Sequence, residues 1–336
     1  MRIELRHMVA AGLGLGGPVA WGVASGRPAL GALAAIGALA VSGLFGNEAR
    51  PGLAHGAAAV AGTAVAGFAG VVVAGRGWLT AVAVVLIAGL LAVAGGISRP
   101  LADHSTRFIV FMVISTGVAK GVEPVAAAVL FAEGAAWGLL VTALCLHTRK
   151  GHDGPGEPRP APPPARALLR RWWRTLGSMP GWQYAIRLTA CLAAAEAVGL
   201  LWPQPAASWI AVTVVIVVRR RLDGAARRSV ERAAGTAAGV VAGSAVLLWV
   251  PPSWLFVLLV AALAAVRPAL KERNYTLYAT VMTPLVLLLM EGGARVPPAT
   301  IGYRLADTVI GCVLALGLGY LPWVVRRERS VRAVVG

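Results

Sequence analysis

Hydrophobic residues occupy most of the chain in long runs, and polar residues fall between these runs. Each run is near the length that an α-helix needs to cross a bilayer, although a few are short. Because lipid leaves no backbone polar group unpaired, such a pattern predicts an all-α polytopic membrane protein with about 12 transmembrane helices. The predicted spans are 8–25, 28–45, 53–74, 78–97, 107–119, 124–147, 183–202, 206–218, 230–250, 253–267, 274–290 and 299–325.

Composition supports a membrane protein and gives no sign of an enzyme. The chain of 336 residues is 58% hydrophobic and 13% charged, whereas a soluble domain is about 25% charged. No nucleophile elbow, zinc-protease motif or P-loop occurs in the sequence. We therefore expect no catalytic activity, no cofactor and no metal site. The three cysteines have no metal-ligand spacing and lie inside apolar runs, at Cys145, Cys191 and Cys312.

Basic residues are distributed unevenly between alternate loops. The formal charge is +17, and most of the arginines fall in the loops that would share one side with the N-terminus. Because cytoplasmic loops carry the excess of Lys and Arg, both termini and the central linker are predicted to be cytoplasmic. These short patches do not form one stripe on a soluble surface, so we expect no nucleic-acid partner.

The spans divide the chain into two halves around a linker. We predict a first six-helix transmembrane repeat at 1–147, a linker at 148–182, a second six-helix repeat at 183–326 and a basic cytoplasmic tail at 327–336. The linker begins HTRKGHDGPGEPRPAPPPAR, which is typical of an extended polyproline-like spacer. Its last part, ARALLRRWWRTLG, predicts a short basic amphipathic helix on the cytoplasmic membrane face, or simply a lead-in to the seventh span.

Local similarity between the halves indicates an internal duplication. The segment AGTAVAGFAG at 61–70 resembles AGTAAGVVAG at 234–243, and 107–117 resembles 274–284. Six spans per half predict two parallel repeats related by an axis along the membrane normal. Glycines at every fourth position allow close approach of a neighbouring helix. The glycines predicted to pack in this way are Gly235, Gly239, Gly243, Gly62 and Gly70.

The second half also resembles the fusaric acid resistance module of the aromatic acid exporter family. The resemblance rests on ERAAGTAAG at 231–239, a Pro-Trp hairpin at 251–254, RPALKERNYTLYATVMTPLVLLL at 267–289 and RLADTVIGCVLA at 304–315. The first half looks like a degenerate copy. The resemblance implies a bacterial inner-membrane protein that exports aromatic or related organic carboxylates. Many members carry a large soluble domain between the halves, whereas this chain has the Pro-rich linker.

Four ionisable residues fall well inside predicted spans: Glu133, Glu196, Arg304 and Asp307. A charge at the centre of a membrane helix is costly, so these residues should face one another or water. We interpret Arg304 as a contact for a substrate carboxylate, and Glu196, Asp307 or Glu133 as proton-coupling residues. The alternative is a structural ion pair that joins Arg304 to Asp307 or Glu196.

Aromatic residues precede two predicted interruptions, at Thr116–Gly117 and Thr283–Pro284. Paired interrupted helices often mark a transporter's binding site. The aromatic side chains could stack on a substrate ring or form an interfacial belt. The substrate-binding candidates, besides Arg304, are Phe108, Phe111, Tyr275, Tyr278 and Thr283.

Two arginines, Arg228 and Arg232, share a helix face with the glycines of the ninth span. They could attract anions to a cytoplasmic mouth, or serve only as topology signals.

Three functions remain open at this point. The first is proton-coupled efflux of organic carboxylic acids, the second a passive organic-anion channel, and the third a membrane scaffold for an envelope-associated partner. The expected partners are a small organic anion and membrane lipid, with a homo-oligomer left open.

Overall fold

The computed structural model describes residues 2–42, 53–118, 121–146, 164–204, 207–220, 225–249, 251–291 and 297–325. Thirteen α-helices and no strand occur within these ranges. A π-helical segment, Ala315–Tyr320, extends the last helix. The helices are α1 (Arg2–Ala24), α2 (Pro28–Val41), α3 (Leu53–Val73), α4 (Trp78–Ala94), α5 (Arg99–Val118), α6 (Pro124–Leu146), α7 (Ala165–Leu176), α8 (Met179–Leu201), α9 (Ser208–Val217), α10 (Ala225–Trp249), α11 (Ser253–Arg273), α12 (Tyr275–Glu291) and α13 (Pro298–Leu314).

A polytopic membrane fold follows from the apolar helices, whereas the count of 12 spans stays a prediction. Among the described helices, seven are long and apolar enough to cross a membrane: α1, α3, α6, α8, α10, α11 and the extended α13. Four shorter apolar helices are α2, α4, α9 and α12. Helix α5 is long enough at 20 residues but is in neither group, because the charged residues Arg99, Asp103 and Arg107 make its first half too polar. Each of the twelve predicted spans therefore lies on a helix, but not each is a full-length apolar span.

One helix of each half packs mainly on the other half. The two halves therefore do not form separate six-helix bundles. Within the first half α3 packs on α5 and α6, and α10 packs in the same way on α12 and α13. The fourth helix of each half makes its most extensive contact with the other half: α4 packs on α8 and α11 on α1, while α4 also contacts α5 and α11 also contacts α12. The core between the halves is consequently continuous.

The helix interruptions expected at Thr283–Pro284 and Thr116–Gly117 are wrong, because α12 and α5 run through both positions. Proline leaves the carbonyl four residues earlier without its helical donor. Here that carbonyl belongs to Thr280, and Gly239 of α10 lies directly against it. The close approach of α10 accommodates Pro284 without a break. Gly117 has a similar packing role, since a Cβ there would collide with Ser208 of α9.

Four of the five predicted packing glycines lie in tight helix contacts. A Cβ at Gly235 would be 2.5 Å from the Thr276 carbonyl oxygen of α12, and Gly239 and Gly243 are held against Pro284. Gly70 is similarly close to the backbone of α5. Gly62 corrects the prediction, because a Cβ there would meet no atom of the described residues within 4 Å. The face of α3 at Gly62 is therefore packed less closely by neighbouring helices than the equivalent face of α10 at Gly235.

Helix α7 lies outside the core, and it has no buried residue. It is joined to the bundle by Trp172, whose Nε1 donates a 3.0 Å hydrogen bond to the Val93 carbonyl at the end of α4. Leu169 and Trp173 are exposed on another face. The preceding residues 147–163 contain most of the Pro-rich linker and lie outside the described ranges.

The difference between the two glycine faces predicts opposite responses to the same substitution. Gly235→Leu should lower the thermal stability of the detergent-solubilised protein, because overpacking against backbone costs about 1–3 kcal/mol. Gly62→Leu should leave the melting temperature nearly unchanged. A melting series on the two variants checks this, and an equal loss in both would contradict the packing difference.

Candidate functional site

A large cavity lies between the two halves of the molecule. Its volume is about 580 Å³, and it is partly open to the outside. Helices α1, α2, α5 and α6 form one side, and α9, α10, α11 and α12 form the other. The lining follows one face of α9 from Ile216 to Trp209, which is about 10 Å along the helix axis. We refer to this space as the vestibule.

Basic side chains are concentrated at one end of the vestibule, and none of its described lining residues is Asp or Glu. This end lies where α2 and α11 finish and where α5 and α12 begin. A cleft with a single sign of charge and low-dielectric walls concentrates counter-ions. The vestibule is therefore suited to an anion. Its cationic residues are Arg107, Arg232, Arg267, Lys271 and Arg273.

Two of these arginines are buried and held by neutral partners. Arg232 donates from Nη1 to the Tyr275 hydroxyl at 3.0 Å, and Arg219 donates to the same oxygen at 2.9 Å. Arg267 donates from Nη2 to Ser42 Oγ at 2.6 Å. Each neutral hydroxyl accepts a hydrogen bond from one N–H group of the guanidinium and leaves its positive charge in place. The positive charge of the vestibule is consequently retained.

Trp209 lines the vestibule at the end farthest from the basic residues. Its side chain is buried, and Nε1 donates a 3.1 Å hydrogen bond to Thr308 Oγ1 of α13. The Arg304 Cζ lies 5.1 Å from the centre of the Trp209 ring, within cation–π range. Thr308 in turn donates to the Arg304 carbonyl at 2.8 Å. Trp209 is therefore fixed at two points by α13.

A polar cluster adjoins Trp209 where α12 ends and α13 begins. Arg304 is 7% exposed at its side chain and forms an ion pair with Glu291, which is 24% exposed. Asp307 is completely buried and accepts a hydrogen bond at Oδ1 from the Gln204 amide. Asp307 Oδ2 and Gln204 Oε1 have no hydrogen-bond partner among the described residues. A buried carboxyl with one unpartnered oxygen can hold a proton.

The predicted substrate-binding residues fall in different places. Phe111, Tyr278 and Thr283 line the vestibule, and Tyr275 lies beside it through its bond to Arg232. Phe108 lines a smaller neighbouring cavity instead.

The predicted charged residues do not all come together. Arg304 pairs with Glu291 rather than with Asp307 or Glu196. Glu196 is half-buried on α8, and no ion pair joins it to the described part of the polar cluster. Glu133 is exposed on α6 and does not join the other three residues, so the expectation that the four face one another or water stays a prediction for it. Arg232 lines the vestibule, whereas the Arg228 side chain lies outside what the structure describes.

Several residues of the site were not identified from the sequence. The basic residues at 107, 267, 271 and 273 were interpreted only as topology signals. Gln204 and Glu291 sit at span ends, where polar residues are ordinary, and Trp209 starts a short apolar run. Gln204 and Trp209 lie at the connection that precedes α9, and Glu291 lies at the connection that precedes α13. This placement is their one signal in the sequence.

Together the fold and the vestibule define a polytopic, all-helical membrane protein with a cationic cavity between its halves. Residues 189–318 match the model of the family described as "Fusaric acid resistance protein-like". The match confirms the resemblance of the second half and is consistent with a role in transport or efflux.

A relative from Escherichia coli (strain K12) also matches, under the name "Uncharacterized protein YhfK". It is 30% identical over 143 residues, which are 41% of this chain and 20% of the relative. The chain thus spans about a fifth of that relative's length. No solved structure matches the chain.

The Arg304–Glu291 pair predicts a strong energetic coupling. Removing one partner leaves the other charge uncompensated in a mostly buried place, which costs about 3–5 kcal/mol for a buried pair. Arg304→Gln and Glu291→Gln should each lower the melting temperature, and the double variant should lose less than the sum. Melting curves of the three variants check this. Strictly additive losses would mean that the pair contributes nothing.

Proposed function

We propose that this protein is a transporter that moves organic carboxylates, aromatic acids among them, out of a bacterial cell across the inner membrane. The observation that carries the proposal is the vestibule: five cationic residues line it, and none of its described lining residues is acidic. A carboxylate entering this space meets positive charge that neutral tyrosine and serine partners do not cancel. The family match of the second half agrees with such a role.

The charge distribution gives the proposed orientation. The basic end of the vestibule faces the cytoplasm under the positive-inside rule, and both termini lie on that side. The vestibule then receives its anion from the cytoplasm, and Trp209 lies between the bound anion and the outer polar cluster. In this arrangement the molecule is in an inward-facing state.

The repeated pairing of helices supports two parallel repeats. The contacts of α3 with α5 and α6 recur as those of α10 with α12 and α13. The exchange of α4 and α11 is also reciprocal. We infer that both halves derive from one duplicated six-helix unit, with the vestibule on the axis between them.

Proton coupling is proposed to involve Asp307 first. Its carboxyl is completely buried, lies beyond Trp209 and keeps Oδ2 unpartnered among the described residues. Glu196 is the second candidate, because it is half-buried inside a span. Glu133 faces outward on α6, so it would need a different route for its proton. Phe111 and Tyr278 supply ring surfaces in the vestibule on which an aromatic acid can stack.

Flux measurements in liposomes test the proposal. With an imposed pH gradient, the protein should move labelled hydroxybenzoate faster than protein-free liposomes do. Arg232→Gln should reduce the protein-dependent flux about tenfold or more, because it removes a charge that attracts the anion. Arg227→Gln is the matched control: the residue is on the same helix, its side chain is 86% exposed, and it pairs with Glu231.

The same preparation separates the alternatives. Loss of pH-driven accumulation in Asp307→Asn or Glu196→Gln would identify the coupling carboxyl. Ohmic single-channel currents that both substitutions leave unchanged would favour a passive anion channel. Absence of protein-dependent flux for a panel of organic anions would reject transport, and a scaffold role would then be tested by deleting 155–165.

A further inference from the structure

A second cavity lies beside the vestibule, within the first half of the chain. Its volume is about 320 Å³, and its wall is formed by α2, α3, α4 and α5. We refer to it as the side cavity. Most of the lining is alanine, leucine or phenylalanine. The polar lining residues are Thr63 of α3 and, along one stretch of α5, His104, Ser105 and Arg107.

The side cavity exists because the first half lacks side chains that fill the equivalent place in the second half. By the alignment of 61–70 with 234–243, Ala59 corresponds to Arg232, and Gly62 to Gly235. Gly235 is pressed against α12, and Arg232 reaches the Tyr275 hydroxyl. At Gly62 no atom from the described ranges lies within 4 Å of a Cβ position. The side cavity is therefore one place where the helix packing of the first half differs from the otherwise similar packing of the second half.

Three residues belong to the walls of both cavities: Ala40, Arg107 and Phe111. Among the described residues no hydrogen bond or ion pair engages the Arg107 guanidinium, and its charge interacts with those of Asp103 and His104. Ser105 is buried, and its hydroxyl has no partner in the described structure. A cation thus lies where the apolar side cavity meets the basic vestibule, and an unpartnered hydroxyl lines the side cavity two residues away.

We propose that the vestibule and the side cavity form one bipartite site for amphipathic monoanions, in which Arg107 binds the anionic head and the side cavity takes an unbranched apolar tail. This assignment rests on the proposed anion-binding role of the vestibule and adds the class of substrate. Small anions use the vestibule alone. Anions with a tail gain the additional apolar contacts of Phe108, Phe111 and Leu91.

The volume of the side cavity limits the tail. It corresponds to the liquid volume of about ten water molecules, which suits an alkyl chain of moderate length. Each methylene transferred from water into an apolar site tightens binding by about fourfold. Longer tails should therefore bind progressively better until the cavity is full, after which the gain should stop.

Calorimetric titration of the full chain in nanodiscs with alkylsulfonates tests this inference. Sulfonates remain ionised and do not cross the bilayer, and empty nanodiscs correct for partitioning into lipid. We expect hexanesulfonate to bind about tenfold or more tightly than ethanesulfonate. Gly62→Leu should abolish that difference while leaving ethanesulfonate binding unchanged, and Arg107→Gln should weaken both ligands.

Two control variants make the test specific. Gly62→Ala adds one methyl group and should retain most of the difference. Gly302→Leu makes the same substitution at another position where a Cβ meets no atom within 4 Å, and it should behave as the wild type. The inference is overturned if neither sulfonate binds, if chain length has no effect, or if Gly62→Leu leaves the preference for hexanesulfonate intact. Ethanesulfonate binding that is lost in Arg232→Gln would still support the vestibule, so the two proposals can fail separately.

Discussion

Holding guanidinium groups inside an apolar bundle is the physical constraint on which this structure depends. Transfer of a charge into a membrane interior is costly unless the group is paired or hydrated. Among the described residues four arginines are nevertheless buried, and each donates to an acceptor: Arg187 to the Gly319 carbonyl, Arg232 to the Tyr275 hydroxyl, Arg267 to the Ser42 hydroxyl and Arg304 to the Glu291 carboxylate. Several of these bonds join different helices, so the arginines also fix how the helices meet.

The nature of the acceptors distinguishes the two ends of the molecule. At the basic end of the vestibule the acceptors are the Tyr275 and Ser42 hydroxyls, which accept hydrogen bonds and leave the charges of Arg232 and Arg267 in place. Beyond Trp209 the acceptor is Glu291, whose carboxylate offsets the charge of Arg304. An anion would thus meet uncompensated positive charge in the vestibule and a paired arginine past the tryptophan. Arg187 is not among the described lining residues of the vestibule; the π-helical segment presents the Gly319 carbonyl to it and places Tyr320 under the same guanidinium at 4.5 Å.

The sequence predicted the all-helical membrane fold, because hydrophobic run length depends on local composition. It did not predict the exchange of α4 and α11, since which helix a neighbour packs on depends on the whole bundle. Pro284 shows the limit clearly: a proline usually signals a break, but the close approach of Gly239 allowed α12 to continue. Gly62 shows the reverse, because its spacing is correct for packing and only the missing side chains around it leave a cavity.

The candidate site was predicted only in part, for a related reason. In-membrane charge identified Arg304 and Asp307, and spacing identified Arg232, but Glu291, Gln204 and Trp209 have no distinguishing local pattern. The cations of the vestibule are also ordinary topology signals when each is considered alone. Their common role depends on helices from both halves that bring them to one end.

The most direct test of the account is which side of the membrane reaches the vestibule. In a background without Cys145, Cys191 and Cys312, a cysteine would be placed in the vestibule by Met282→Cys and beyond Trp209 by Gln204→Cys. Each cysteine is then labelled with a membrane-impermeant maleimide in inside-out and in right-side-out vesicles, and the labelling of the two positions is compared. The account predicts that Met282→Cys reacts only from the cytoplasmic face and is protected by an organic anion. Labelling of that cysteine from the outer face, or from neither face, would contradict it.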